Sequence, residues 1–247
     1  MRFLDIDLDA FQHDVLYHRS PDTRPSSSGV PAWSEGEVRD FLEAHCGLSV
    51  SAPVRGRLVT NHDELFDLWH RELEQGSLLA PFDVVHVDAH ADLGLGDAGY
   101  MYLMTELLHV PVEQRASAVR PQHGRGMGSG NYLAFAIGCR WIGSLTYVYP
   151  PKGGSDELYS LFRSHHPASG FIEIPLYPPG TTSTPINRPR VEPATVEPAV
   201  PYSAIRAAEF NTVEPFDMAC VSISPEFTAR ATERLLPVIN DYIRWDG

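Results

Sequence analysis

Two carboxylates and an imidazole stand at alternate positions in Asp88-Ala89-His90-Ala91-Asp92, directly after the apolar run Phe82-Asp83-Val84-Val85-His86-Val87. Extended backbone sends alternate side chains to one side, so the three groups can converge. Burying them without partners costs several kcal/mol, and a cation is the simplest partner. A second cluster lies in Leu4-Asp5-Ile6-Asp7-Leu8-Asp9, where carboxylates alternate with aliphatic residues. Carboxylates on one face of a strand repel one another unless a cation or hydrogen-bond donors neutralise them. His62 follows Asn61 at the expected start of a helix. The helix dipole there disfavours imidazolium, so a neutral imidazole fit for a metal is expected.

Many hard oxygens with few imidazoles suit Mn²⁺, with Fe²⁺ or Co²⁺ as alternatives. A structural zinc site prefers sulfur and nitrogen, and no cysteine lies near either cluster. More than four candidate ligands imply two ions, roughly 3.5–4 Å apart and sharing a water or hydroxide. Hydrolysis is the natural chemistry of such a pair.

The elements that must position these groups read as strands alternating with helices. Strands are expected at 3–8, 57–60, 84–88, 145–149, 171–174 and 218–223. The pattern Ser34…Glu37 is a capping box that opens a helix over 35–46. Leu65, Leu68, Trp69 and Leu73 predict a helix capped by Asn61 and ended by Gly76. Further helices are expected at 100–108, from Asn131 after the Gly-rich stretch 124–130, and near 157–164. A closing helix from about 225 carries Leu235, Leu236, Ile239, Tyr242 and Ile243, with a kink at Pro237. Residues 20–31 read as a loop, and the Pro-rich stretch 175–201 as a long surface excursion. This order implies an α/β fold: a three-layer α/β/α sandwich with a mostly parallel sheet. Ligands of such sheets bind beyond the carboxyl ends of the strands, where both acidic clusters and Ser224 with Glu226 fall.

The 247 residues, 43% of them hydrophobic, suit one domain over 1–247 with a sizeable core. A net charge of −13 argues against a nucleic-acid partner and fits a cation site or a basic substrate. Cys46, Cys139 and Cys220 are an odd, scattered set, which points to a reduced, cytoplasmic setting. Asp5, Asp7 and Asp9 interrupt the first apolar run, so no signal peptide is read. The apolar stretch 132–142 is too short to span a bilayer, and no membrane partner is expected.

These residues carry a resemblance. Val87-Asp88-Ala89-His90-Ala91-Asp92 resembles the Asp-Ala-His-x-Asp motif of the arginase (ureohydrolase) superfamily. Phe3-Leu4-Asp5-Ile6-Asp7 resembles its Phe-Asp-x-Asp metal motif, and Ser129-Gly130-Asn131 the Ser-Gly-Asn of its substrate loop. The chain is more similar to a branch of arginase-like proteins that includes peptide arginases, which convert arginine to ornithine in ribosomally made peptides. That likeness rests on Leu4–Asp9, on His62-Asp63-Glu64, on His86–Asp92 and on Ser224-Pro225-Glu226-Phe227-Thr228. It implies two Mn²⁺ ions held by Asp5, Asp7, His62, Asp88, His90 and Asp92. Asp5 and Asp88 would bridge the ions, and Asp92 would also hold the nucleophile and relay a proton.

The resemblance further implies that Glu226, Ser129 and Asn131 bind substrate, with Glu226 pairing with its guanidinium. In arginases the Asp-x-Asp strand follows the Asp-x-His-x-Asp strand; here it comes first, so the chain resembles a circular permutant. The proton-shuttling histidine has no matching motif, and His123 is the candidate by region. The expected activity is hydrolysis of arginine in a precursor peptide to ornithine and urea. The alternatives are a ureohydrolase acting on a free guanidine, such as arginine or agmatine, and a non-catalytic protein binding metal and peptide.

Overall fold

A computed structural model describes residues 1–16, 24–25, 30–94, 99–119, 126–154, 156–181 and 192–245. The strands are β1 (Arg2–Asp7), β2 (Val54–Val59), β3 (Phe82–Val87), β4 (Ile142–Tyr149), β5 (Phe171–Ile172), β6 (Pro175–Leu176), β7 (Thr195–Val196), β8 (Val200–Arg206), β9 (Met218–Ser222) and β10 (Ile243–Trp245). The α-helices are α1 (Glu35–Asp40), α2 (Glu64–Glu74), α3 (Gly99–Thr105), α4 (Val112–Ala118), α5 (Tyr132–Gly138) and α6 (Leu236–Asn240). Eight strands form one sheet in the order β10-β2-β9-β1-β3-β4-β8-β5. Pairing is parallel from β10 to β8, and β5 closes the edge antiparallel to β8. Strands β6 and β7 pair in a separate short antiparallel ladder. The architecture is α/β with a mostly parallel sheet, as the alternation of elements implies.

The period of two along each strand separates two faces. Phe3, Phe82, Val84, Leu145 and Met218 pack with Leu65, Phe66 and Trp69 of α2, Leu103 of α3 and Leu133 and Phe135 of α5. Leu4, Ile6, Val85, Val87, Ala219 and Val221 pack on the other side with Val38 of α1 and Val238 and Ile239 of α6. Each such side chain contributes roughly 1.5–3 kcal/mol when fully buried. On the first face the apolar layer gives way abruptly toward the strand ends. The register places Phe3 beside Val84 and Met218, then Asp5 beside His86 and Cys220, then Asp7 beside Ser222.

The capping box of α1 forms: Glu37 N–H donates to Ser34 Oγ, and Ser34 N–H to the Glu37 carboxylate. That helix then widens into a π turn over Phe41–His45. Helix α2 begins at Glu64 with Asp63 at the cap, two residues later than the predicted Asn61 cap. Asn61 contributes its carbonyl, which accepts from Glu64 N–H, while the Glu64 carboxylate accepts from Asn61 N–H.

Three expectations need correction. The helix expected near 157–164 is a pair of 3₁₀ turns, broken where Ser164 and His165 enter left-handed backbone at φ 57°. The stretch 175–201 is more than a surface excursion: it holds β6 and β7 and enters the sheet through β8. Pro201 is tolerated there because parallel pairing to β4 starts one residue later, at Tyr202. The closing helix is short. Pro237 sits in the first turn of α6, where a missing N–H costs nothing, and so starts the helix and does not kink it. Tyr242 and Ile243 leave helical backbone, and β10 pairs with β2. Cys46, Cys139 and Cys220 are buried free thiols. No helix among the described residues is long and apolar enough to cross a membrane.

Candidate metal centre

Strands β1 and β3 are neighbours in the sheet, so their carboxyl ends deliver both acidic clusters to one place. Asp5, Asp7, Asp9, His62, His86, Asp88 and Asp92 are all buried there, with His90 at the rim. His62 Nδ1 lies 3.1 Å from Asp7 Oδ2, 3.1 Å from Asp88 Oδ2 and 3.0 Å from Asp92 Oδ2. His90 Nδ1 lies 3.0 Å from Asp9 Oδ2 and 3.5 Å from Asp88 Oδ1. Asp88 thus turns one oxygen to each imidazole. Despite these short distances, His62 Nδ1 and Asp9 Oδ2 are buried and make no hydrogen bond of acceptable geometry.

The opposite ring nitrogens of both histidines face oxygen acceptors. His62 Nε2 lies 2.9 Å from Asp5 Oδ1, and His90 Nε2 lies 3.1 Å from the Leu16 carbonyl. When each ring is neutral with its proton on Nε2, its Nδ1 lone pair faces carboxylates. That arrangement is repulsive by itself and is what a cation between the groups requires; metal-binding histidines donate their other N–H in this way. The donor set, oxygen-rich with imidazole nitrogen and no sulfur, fits a divalent cation of the Mn²⁺ kind. Four combinations among the described residues, Asp5/His62/His86, Asp7/His62/Asp88, Asp9/Asp88/His90 and His86/Asp88/Asp92, lie close enough to hold a metal ion.

Electrostatics show the same excess of negative charge. Burial opposes ionisation of Asp5, but His62 and His86 hold its carboxyl below the usual range. Burial likewise opposes charge on Asp88, where the close His62 and His90 imidazoles and the charge of His86 prevail and hold it well down. Asp92 and Asp9 go the other way. Burial and the Asp88 charge push Asp92 up to about 7, and burial with Asp7 and Asp88 raises Asp9 well above an ordinary carboxylate. Burial alone would depress His86, yet the Asp5 hydrogen bond and the charges of Asp88, Asp5 and Asp92 lift it to about 9. His62 is raised as well: burial lowers it, and the Asp5 carboxylate outweighs burial. The expected helix dipole effect on His62 therefore loses to direct contact with carboxylates. His62 also lies outside α2, ahead of its cap.

The loop after β3 is pinned from several sides. Ala89 N–H donates to Asp9 Oδ1 (3.2 Å), His90 N–H to Asp88 Oδ1 (2.8 Å), and Ala91 N–H to Asp156 (3.1 Å). Tyr147 Oη–H donates to the Ala89 carbonyl at 2.9 Å. Asp92 holds left-handed backbone at φ 49°, which Asp tolerates better than most residues. Ser224, after β9, is also left-handed at φ 41°, and its hydroxyl donates to Asp7.

A cleft of about 310 Å³ opens beside the cluster, lined by Asp63, Met127, Ser129, Ser224, Glu226 and Phe227 among others. The Phe227 ring packs edge-on against His90, with centroids 5.0 Å apart. Glu226 is exposed at this cleft, and Ser129 Oγ donates to Asp63 Oδ1 at 2.9 Å. Asn131 does not face the cleft. It is buried, and its amide braces the loop, accepting from Gly128 N–H (2.8 Å) and donating to the Gly126 carbonyl (3.1 Å). A Cβ on Gly99 would meet that Gly126 carbonyl at 2.2 Å, so α3 starts in close contact with the loop that carries Ser129. His123 lies outside the described residues. A larger hollow of about 430 Å³ lies between β2 and α2, lined by Arg57, Arg71 and Glu64; no cluster residue lines either hollow, and only the smaller one is lined by residues that touch the cluster, Ser224 on Asp7 and Phe227 on His90.

Comparison with protein-family models, with curated proteins and with solved structures finds no match to this chain. Sequence reading missed His86, Tyr132 and Asp63 as parts of the site. His86 shares the alternation of Asp88, His90 and Asp92, and an imidazole inside an otherwise apolar strand was the available signal. Tyr132 gives no local signal. It is an aromatic on a helix that buries every residue from Tyr132 to Gly138, yet its hydroxyl reaches Asp5 and His62.

Proposed function

We propose that this chain is an arginase-type metal-dependent hydrolase that converts peptidyl arginine to ornithine with release of urea. One observation carries the reading: two imidazole Nδ1 atoms point into two groups of buried carboxylates that share Asp88, beside an acidic cleft. His62, Asp7, Asp88 and Asp92 would hold one ion, and His90, Asp9 and Asp88 a second. Asp7 and Asp9 thus replace the expected Asp5 and Asp7 as the ligand pair from the first strand. Adjacency of β1 and β3 supports the circular-permutation reading, because the pair meets in space whichever strand comes first in the chain. Two divalent cations, when bound, supply the positive charge that makes water nucleophilic near neutral pH and stabilises charge developing on the substrate.

The chain's own groups do the rest. Glu226 and Asp63 face the cleft as carboxylates suited to a guanidinium, which such groups grip through paired charge-assisted hydrogen bonds. Ser129 fixes one oxygen of Asp63 and leaves the other for substrate. Asp92, the least buried carboxylate of the cluster, holds and hands on a proton to the leaving amine. Water adds to the guanidinium carbon, the bond to the side-chain nitrogen breaks, and ornithine and urea result. Phe227 and Met127 exclude solvent from one wall.

The test is incubation of the Mn²⁺-loaded protein with an arginine-containing peptide, with free arginine and with agmatine in parallel. Urea from the peptide, with arginine replaced by ornithine in its mass spectrum, supports the reading. Urea from a free guanidine alone moves the substrate class. Binding without urea from any of the three marks a metal- and peptide-binding protein.

A further inference from the structure

Asp5 lies deeper than the other carboxylates, and its partners are two imidazoles and a phenol, where Asp7 accepts from the Asp9 N–H and the Ser224 hydroxyl. Its Oδ1 is 2.9 Å from His62 Nε2, and its Oδ2 is 2.9 Å from His86 Nδ1. The Tyr132 hydroxyl donates to Oδ2 and lies 3.1 Å from His62 Nε2. Both oxygens therefore face donors, and Asp5 and Tyr132 are fully buried. Asp7, Asp88 and Asp92 instead turn an oxygen to the opposite nitrogen of His62.

His62 can offer an ion only one of its two nitrogens while the other keeps its proton. At Nε2 it meets one carboxylate and a phenol; at Nδ1 it meets three carboxylates. A divalent cation goes where the anionic oxygens are. Resting on the metal-centre reading above, we propose that Asp5 is a positioning residue and no metal ligand. With Tyr132 it keeps the proton of His62 on Nε2, and so presents Nδ1 to the ion held with Asp7, Asp88 and Asp92. It also fixes the His86 ring beneath Asp88. The Asp5–His62 pair is thus the carboxylate–imidazole support that tunes a metal-binding histidine from behind. Tyr132 in turn fixes the Asp5 carboxylate through the hydroxyl contact.

The experiment is Mn²⁺ titration of the metal-stripped full chain, reading stoichiometry and affinity, alongside ¹⁵N spectra of labelled histidine. The parent binds two ions, and metal-free His62, once titrated to its neutral form at alkaline pH, keeps its proton on Nε2. Asp5→Asn and Tyr132→Phe keep two ions with affinity lowered about 10- to 100-fold, and their His62 ¹⁵N shifts move. Asp7→Asn loses an ion. If folded Asp5→Asn also loses an ion, or keeps parental affinity and parental His62 shifts, the proposal is overturned. Should Asp5→Asn fail to fold, Tyr132→Phe decides alone, because it leaves every carboxylate in place: parental affinity and shifts overturn the proposal. A parent that binds no Mn²⁺ defeats the metal-centre reading itself, a result distinct from any of these.

Discussion

Arg115 and Glu197 are buried, as is most of the Asp/His cluster, but their charges are matched. Arg115 gives its donors to the Val110, Gly138 and Leu108 carbonyls and to Glu197 Oε1 at 2.9 Å, while Arg140 holds Glu197 Oε2 at 2.8 Å. Nothing in that clamp calls for a further ion; it ties α4 and the end of α5 to the segment after β7. The cluster on β1 and β3 sets five carboxylates against three histidines and leaves His62 Nδ1 and Asp9 Oδ2 without hydrogen bonds. A buried charge group built for structure completes itself with protein donors. One built for a ligand keeps an excess of one sign and aims it inward.

The largest effect that separates the two regions is on metal. Asp88→Ala takes the carboxylate shared by both imidazoles, so Mn²⁺ content measured by plasma mass spectrometry and urea release should both fall to background. Metal-free stability should change little, because relief of repulsion on Asp9 and Asp92 offsets the loss of the Asp88 contacts with the histidines and with His90 N–H. Loss of metal-free stability in this variant would mean that the cluster is a structural network like the clamp.

Arg115→Ala is the converse. It strands the Glu197 carboxylate and should cost about 3–5 kcal/mol in denaturant unfolding, the scale of a broken buried pair. Mn²⁺ stoichiometry should not change. Next in size is the gain from metal itself. Free Mn²⁺ at 100 times the dissociation constant of each site should stabilise the parent by about 2.7 kcal/mol per ion. The same increment is expected in Arg115→Ala and none in Asp88→Ala, by thermal melts with and without chelator.

The smallest effect is in pH, and its sign differs between the regions. Asp92 has a folded pKa of about 7 against 3.8 unfolded, so its contribution to metal-free stability is full below 3.8 and is lost as pH rises through 7. His86 behaves alike, from 6.5 unfolded to about 9 folded. Burial opposes charge on Glu197, but Arg115 and Arg140 lower its pKa, so the stability it contributes is present above 4.5 and lost as pH falls. Metal-free protein should therefore weaken toward alkaline pH, and bound Mn²⁺ should remove that slope. An equal slope with and without metal would separate the ion from these carboxylates.

Much of this site is legible in the sequence because strands encode direction simply. Spacing singles out Asp88, His90 and Asp92, although β3 ends at Val87 and the three converge in the pinned loop beyond it, beside the carboxylates that alternate on β1. The register between β1 and β3 is not legible, so the sequence does not show that Asp9 faces His90. Asp9 lies past the end of β1, in a 3₁₀ turn, where counting by two no longer predicts direction. Tyr132 and Asp63 are brought to the site by packing of α5 and of the turn ahead of α2, which local pattern does not report. The strand β8 hid behind prolines, and β10 behind a spacing that a helix would also satisfy.

The most direct test of the buried cluster as a two-cation centre is anomalous diffraction at the manganese edge from crystals grown with Mn²⁺. Two peaks are expected, one among His62 Nδ1, Asp7, Asp88 and Asp92, the other among His90 Nδ1, Asp9 and Asp88. Density for Mn²⁺ only outside these groups, or none in the protein, would contradict the account.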